Sequence, residues 1–195
     1  MQSTAPARSR PAKAWWLRLC ACLALLGVNG AALPASPAGT TETVVRAAFL
    51  FRLTFFLSWP DAAFSAPDSA IRLCIREGTD AGLFNVLSEQ VAKRKAQGRP
   101  LEVVRVAADD ADAVCHVLYL GTETAAANGD GAYAMVVVDS LNQLERVGAI
   151  TLVREDQPGG GSKLVFYAHP QRLKQSVVGV SAKLLQLLRM YEVQG

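Results

Sequence analysis

The residues that could do chemistry are few, and the meaning of the cysteines depends on where the chain ends up. Two of the four cysteines, Cys20 and Cys22, fall in the apolar run from Ala14 to Val28, which only Arg18 interrupts. Arg8, Arg10 and Lys13 form a basic segment ahead of that run, and the small residues Gly30, Ala31 and Ala32 follow it. Basic, then apolar, then small is the order of a secretory signal, with cleavage expected after Ala32 or nearer Ala38. The run is too short and too broken for a spanning helix, which needs about 20 apolar residues. Two other fates fit the same stretch. Leu19-Cys20-Ala21-Cys22 has the outline of a lipidation box, and the segment can stay on as an uncleaved anchor. Export removes Cys20 and Cys22 and leaves Cys74 and Cys115, 41 positions apart. In an oxidising compartment such a pair is a disulfide candidate.

The remaining reactive side chains point away from catalysis. His116 follows Cys115 inside an apolar strand, where alternation sends the two side chains to opposite faces. It reads as a buried, hydrogen-bonded structural residue. His169 precedes Pro170 at a strand end and reads as a surface residue. Neither histidine belongs to a cluster with metal-ligand spacing, and there is no nucleophile elbow or P-loop. Gly159-Gly160-Gly161 lacks the lysine and the helix that cradle a phosphate, so it reads as a turn. Asp109, Asp110 and Asp112 lack a calcium-loop pattern and read as solvated acids at a helix start. Reactive thiols need exposed, electropositive surroundings, whereas Cys74 and Cys115 sit in apolar strands. No catalytic residue, metal or cofactor is expected. A binding or regulatory module is the functional class that remains.

Charge gives the same answer. Four of the 20 basic residues (Arg8, Arg10, Lys13 and Arg18) precede Leu33, and none of the 17 acidic residues does. The body left after processing is nearly neutral, which is no footprint for nucleic acid. Lys93-Arg94-Lys95, with Arg99, reads as a helix end whose cations complement the helix dipole.

The elements that must position these residues follow from periodicity. Residues 1–32 read as the signal, 33–39 as a flexible leader, and 40–195 as a single domain. Thr40 or Thr41 caps a first helix with Glu42 in its first turn, and Trp59-Pro60 is expected to end it. That helix is apolar nearly all round, so it is either deeply buried or has a partner on its second face. Strands are expected over 71–75, 101–106, 114–120 and 134–138. A helix is expected over 80–97, with Gly98 as its C′ residue, and a short one over 141–147. Segments 149–153 and 164–167 flank Pro158-Gly159-Gly160-Gly161 as a hairpin. A last helix is expected from Gly179 or Ser181 to Tyr191, with Leu184, Leu185, Leu187 and Leu188 inward. The sum is an α/β, three-layer-like sandwich: a mainly parallel central sheet flanked by helices, with a C-terminal hairpin and helix. If the first and third strands are neighbours, Cys74 and Cys115 can face each other.

Several of these segments, in order, resemble the YfiR family of periplasmic proteins. Val44 to Pro60, VVRAAFLFRLTFFLSWP, is similar to the family's opening V-K-A-A-F-L-Y-N-F-x-K-F-x-x-W-P. Ile71 to Ile75 resembles its first, cysteine-bearing strand, and Gly98 to Leu101 the turn before its second. Cys115 to Leu120 resembles C-H-V-L-F-I, Val136 to Asp139 resembles V-L-T-V-S-D, and Gly148 to Leu152 resembles G-x-I-x-L. Val180 to Leu185 resembles the closing I-S-S-K-L-L. The resemblance implies a periplasmic repressor. It would bind the periplasmic sensor domain of an inner-membrane diguanylate cyclase and lower cyclic di-GMP. It would be relieved by an outer-membrane lipoprotein, and homodimers are part of the expectation. The expected partner contacts are Phe51, Phe55 and Trp59 from the first helix, and Phe166, Tyr167 and Val180 from the C-terminal region. Arg52, Phe55 and Ser58 depart from the family pattern, as do Phe166 to His169 and Lys174 to Gly179. The competing reading is a periplasmic small-molecule-binding component of a sensory or uptake system.

The export reading has a direct check. N-terminal sequencing of the exported protein is expected to begin near Leu33 or a few residues beyond. Recovery of Met1 on a membrane-bound form overturns it.

Overall fold

Central strands that are apolar on both sides need cover on both faces, and this chain supplies it with helices and loops. The computed structural model describes residues 41–107, 110, 113–121 and 131–192. The signal (1–32), the leader (33–39), Thr40, Asp109 and Asp112 lie outside the described residues. The elements in chain order are α1 (Thr41–Leu53), β1 (Leu57–Ser58), β2 (Ile71–Arg76), α2 (Ala81–Val91), β3 (Lys95–Ala96) and β4 (Arg99–Val106). They continue with β5 (Val117–Tyr119), β6 (Met135–Val138), α3 (Leu141–Arg146), β7 (Ile150–Asp156) and β8 (Ser162–Ala168). The chain closes with α4 (Pro170–Gln175), β9 (Gly179–Val180), α5 (Ala182–Leu185) and β10 (Leu188–Met190).

Eight strands form one sheet in the order β10-β8-β7-β6-β5-β2-β4-β3. Neighbours from β4 to β7 run parallel, as do β8 and β10. The two hairpins, β7–β8 and β3–β4, are antiparallel. The order β4-β2-β5-β6-β7 is that of a doubly wound sheet: the chain steps one way from β2 to β4 and the other way from β5 onward. Right-handed crossovers then place helices on opposite faces. Accordingly α2 packs Leu83, Leu87 and Val91 into the core on one face, together with Ala47, Leu50 and Leu53 of α1. Leu144 of α3 joins Cys74, Val106, Cys115 and Leu118 on the other face. β5 and β6 are buried at every residue. The outer half of β7 alternates because it projects past the covered region.

Caps set the helix starts where short polar side chains meet free N–H groups. Asp80 accepts from the Gly82 N–H, and Ser140 from the Gln143 N–H. The first helix, however, ends at Leu53 and not at Trp59. The Thr54 hydroxyl donates to the Phe51 carbonyl at 2.7 Å, and Phe56 N–H donates to Leu53, tightening the last turn. Leu57–Ser58 then pairs with Gly179–Val180 as a separate two-stranded ribbon. A Cβ on Gly179 would lie 2.3 Å from the Ser58 hydroxyl, so a larger residue there would require the Ser58 side chain to turn away.

The second helix is also shorter than expected. It ends at Val91, and Gly98 does not cap it. Gln97 (φ 53°) and Gly98 (φ 80°) form the two-residue turn between β3 and β4, a turn that requires positive φ at both positions. The Gln97 side-chain amide donates to the carbonyls of Thr54 at 2.7 Å and Leu57 at 2.6 Å, closing the end of α1. The expected last helix is one turn only. Ser181 caps Ala182–Leu185, and Leu188–Met190 then adds a strand beside β8. Helix α4, with Pro170 at its start, was not expected from the sequence.

Cys74 of β2 and Cys115, just before β5, are joined, with Cα atoms 5.8 Å apart. Closing a loop of this length is worth roughly 3–4 kcal/mol by chain entropy. Cys74→Ser is therefore expected to lower the melting temperature clearly, and Cys74→Ser with Cys115→Ser to cost little more. Two free thiols in non-reducing mass spectrometry of fresh protein would contradict the bridge.

Candidate functional site

Two polar clusters pin opposite ends of the parallel strands, and both are occupied by structural contacts. At the amino ends, His116 is only 2 % exposed. Its Nδ1 accepts from the Arg72 backbone N–H at 3.0 Å, which leaves Nε2 to carry the proton towards the Ala63 carbonyl at 3.2 Å. Phe64 stacks on the ring at 4.5 Å, Trp59 meets it edge-on at 5.6 Å, and the Arg99 guanidinium lies 3.6 Å from the centre of the Phe64 ring. The Trp59 indole N–H donates to the carbonyls of His116 and Tyr133. Burial, with Arg72 and Arg99 nearby, holds the His116 pKa below its ordinary value. This is the structural histidine expected from the sequence.

At the carboxyl ends, Tyr119 of β5 donates to Asp139 Oδ1 at 2.5 Å, and Arg46 of α1 reaches the same oxygen at 3.3 Å. Burial beside the Asp139 carboxylate drives the Tyr119 phenol far above its ordinary pKa, so it stays a donor. Thr43 donates to Asp80 at 2.6 Å, and Glu42 pairs with Arg46 and Arg154. The cluster fastens the start of α1 across the ends of β2, β5 and β6.

His169 is not on the surface as expected. It is 5 % exposed and caps α4, with Nδ1 accepting from the Arg172 N–H. A free N–H in the first turn of a helix needs an acceptor, which the side chain of the residue before Pro170 supplies. Asp110 is exposed. Among the described residues no group of three His, Cys, Asp or Glu is placed to hold a metal ion.

The six expected partner contacts do not form one patch. Phe51 and Phe55 meet edge-on at 5.2 Å, and Phe55 is 49 % exposed. Trp59 is half-buried in the His116 cluster, and Val180 sits nearby, paired with Leu57. Phe166 stacks on Phe49 at 4.7 Å in the core. Tyr167 points to the opposite face, where its hydroxyl donates to Glu155. Alternation along β8 separates these two neighbours.

The sequence reading missed a different apolar surface. Val177, Leu185, Leu187 and Met190 are all exposed, because the chain around them is one helical turn and a short strand. Beside them lies a groove of about 490 Å³ lined by Leu173, Val178, Val180, Leu185 and Met190. β10 is the outermost strand of the sheet, so one side of its backbone is open. A groove beside an open strand edge is the form in which an extended segment of another chain is bound. The signal in the sequence was Leu184-Leu185 with Leu187-Leu188, four leucines of which only Leu184 and Leu188 find cover.

A protein-family model described as YfiR/HmsC-like matches residues 43–189. No curated protein matches the chain.

The His116 geometry sets a pH dependence. The unfolded histidine titrates near 6.5 and the folded one lower, so the unfolded chain takes up the proton first. Stability is expected to be full above about pH 6.5 and to fall as the pH drops through and below it. His116→Gln should flatten that slope, leaving the part due to His169, whose burial lowers its pKa too. Thermal melts across pH check this; an unchanged slope in the variant contradicts it.

Proposed function

The chain belongs to the YfiR/HmsC-like family, and from that premise we propose that it is an exported regulator of a membrane diguanylate cyclase. It binds the cyclase's periplasmic domain, holds the cytoplasmic enzyme inactive and so lowers cyclic di-GMP. The observation that carries this reading is the family match over residues 43–189. Family membership points to regulation rather than catalysis, and the polar clusters described above are occupied in structural contacts. No described helix is long and apolar enough to cross a membrane. In this reading residues 1–32 supply export and the cyclase supplies the link to the membrane.

The groove beside β10 is the surface we assign to that partner. An exposed apolar patch rimmed by polar groups is characteristic of interaction sites, and Lys174 and Ser176 line this one. Of the expected contacts, Val180 lines the groove directly. Phe166 acts from beneath by fixing β8, the strand on which β10 rests. Trp59 holds the β1–β9 ribbon against the amino ends of the sheet. Tyr167 contributes through Glu155 and Arg189 at the outer strand. An outer-membrane lipoprotein competing for the same groove, or a second copy seated there, would relieve repression.

Deleting the protein is expected to raise cyclic di-GMP and surface attachment. Leu185→Asp and Met190→Asp, both at exposed positions, should do the same without reducing the amount of folded protein. Anchors at the centre of an interface commonly cost about 2 kcal/mol or more when truncated. Unchanged cyclic di-GMP in the deletion, with the cyclase expressed, overturns the cyclase reading and favours a small-molecule-binding role.

A further inference from the structure

We infer that the outward face of α1, together with the corner that follows α2, is a docking site for an anionic phospholipid surface. Helix α1 buries Ala47, Phe49, Leu50 and Leu53. Its opposite side carries Val44 and the half-buried Ala48 and Phe51, at spacings of four and three, and Phe55 in the turn after the helix extends that stripe. Val44 is 42 % exposed and Phe55 49 %. A surface helix ordinarily turns polar residues outward, and this one shows a second apolar face.

Four cations lie at the carboxyl end of that face. Arg52 is exposed on α1, and Lys93, Arg94 and Lys95 are exposed on the chain leaving α2. The Arg94 guanidinium lies 5.3 Å from the centre of the Phe51 ring, and Phe51 touches Phe55. The two Gln97 hydrogen bonds hold this corner against the end of α1. Arg46, Arg72, Arg154 and Arg189 each have a carboxylate partner. Among the described residues none of Arg52, Lys93, Arg94 and Lys95 has one. The body of the chain is nearly neutral, and this is a local concentration of unpaired positive charge beside the exposed Phe55 ring and the half-buried Phe51 ring.

That combination fits a phospholipid surface better than an acidic peptide. The exposed apolar groups lie along the side of a helix and the turn after it, apart from the groove beside β10. The cations gather at the carboxyl end of the stripe, where Arg94 reaches the Phe51 ring. Interfacial helices use this layout, with aromatic groups entering the headgroup boundary and lysine or arginine above the phosphates. Each cation near an anionic surface contributes about fivefold in affinity, and the attraction fades over a Debye length of about 10 Å at moderate salt. Arg52 and Phe55 stand where the family's opening segment has Asn and Lys, so the site is a feature of this chain. It would hold the protein beside the membrane independently of any cyclase.

Co-sedimentation of the exported protein with vesicles tests this. Binding is expected to phosphatidylcholine vesicles that contain phosphatidylglycerol, to be weak on phosphatidylcholine alone, and to fall as salt rises. Arg52→Glu should weaken it at least about fivefold, and Phe55→Ala several-fold. Combined Lys93→Glu, Arg94→Glu and Lys95→Glu should abolish it. Met190→Asp should leave it unchanged. All variants share one N-terminus, so differences among them belong to the patch, and circular dichroism melts check that each is folded. Equal binding to both vesicle types, no binding, or full binding by the charge-reversed protein overturns the proposal. Capture of an acidic periplasmic domain that is lost in the same variants, with no vesicle binding, assigns the patch to a protein and also overturns it.

Discussion

The structure depends on burying both faces of a short parallel sheet whose central strands carry no polar side. β5 and β6 are apolar at every position, so neither can face water. The doubly wound order solves this by sending α2 to one face and α3 to the other. α1, ahead of the first long strand, completes the cover on the α2 side. The core thus forms as two layers, one around Leu50, Leu83 and Met135, the other around Cys74, Leu118 and Leu144. A chain of this size can bury enough apolar surface for stability in this way.

The ends of the parallel strands are where an α/β sheet usually opens a binding crevice. Here the carboxyl ends are tied from within, while at the amino ends a cavity of about 560 Å³ lies beside His116 and Arg72. Arg46, Tyr119 and Asp139 tie α1 over the carboxyl ends, and the closest approach of Gly121 to Thr79 leaves no room for a side chain there. At the amino ends, His116 binds one strand edge through the Arg72 N–H and a loop through Ala63, and the disulfide lies next to it.

The two candidate docking surfaces lie away from the strand ends. Among the described residues, most of the exposed large apolar side chains lie in the groove beside β10 or on the outward side of α1 and the turn after it, with Val114 exposed apart from both. The two differ in character. The groove adjoins an open strand edge, which gives main-chain hydrogen bonds and therefore suits a polypeptide. The stripe ends in a group of unpaired cations, which suits an anionic surface. A regulator using both would meet its partner already confined to the membrane plane.

Much of this was legible in the residues themselves. Alternation and apolar runs located the strands from Ile71 to Val138, because a strand buried on both faces needs uninterrupted Val, Leu and Ile. The glycine run at 159–161 marked the β7–β8 hairpin, since only glycine takes the positive φ found at Gly160 and Gly161. The pairing of Cys74 with Cys115 was open to a sequence argument, because two cysteines allow one connectivity. The order of motifs pointed to the family. Tertiary structure decided what local pattern could not. Whether α1 stopped at Leu53 or ran to Trp59 depended on Gln97 and Gly179, distant residues that offered Thr54 and Leu57 other partners. Gly98 reads equally well as a helix cap or a hairpin turn until β4 supplies a neighbour for β3. Phe166 and Tyr167 parted to opposite faces because β8 became a strand paired on both sides. Leu185 and Leu187 were left in solvent because the chain spent its last turn joining the sheet as β10. In each case the local sequence permitted two conformations of similar energy, and a contact far along the chain chose between them.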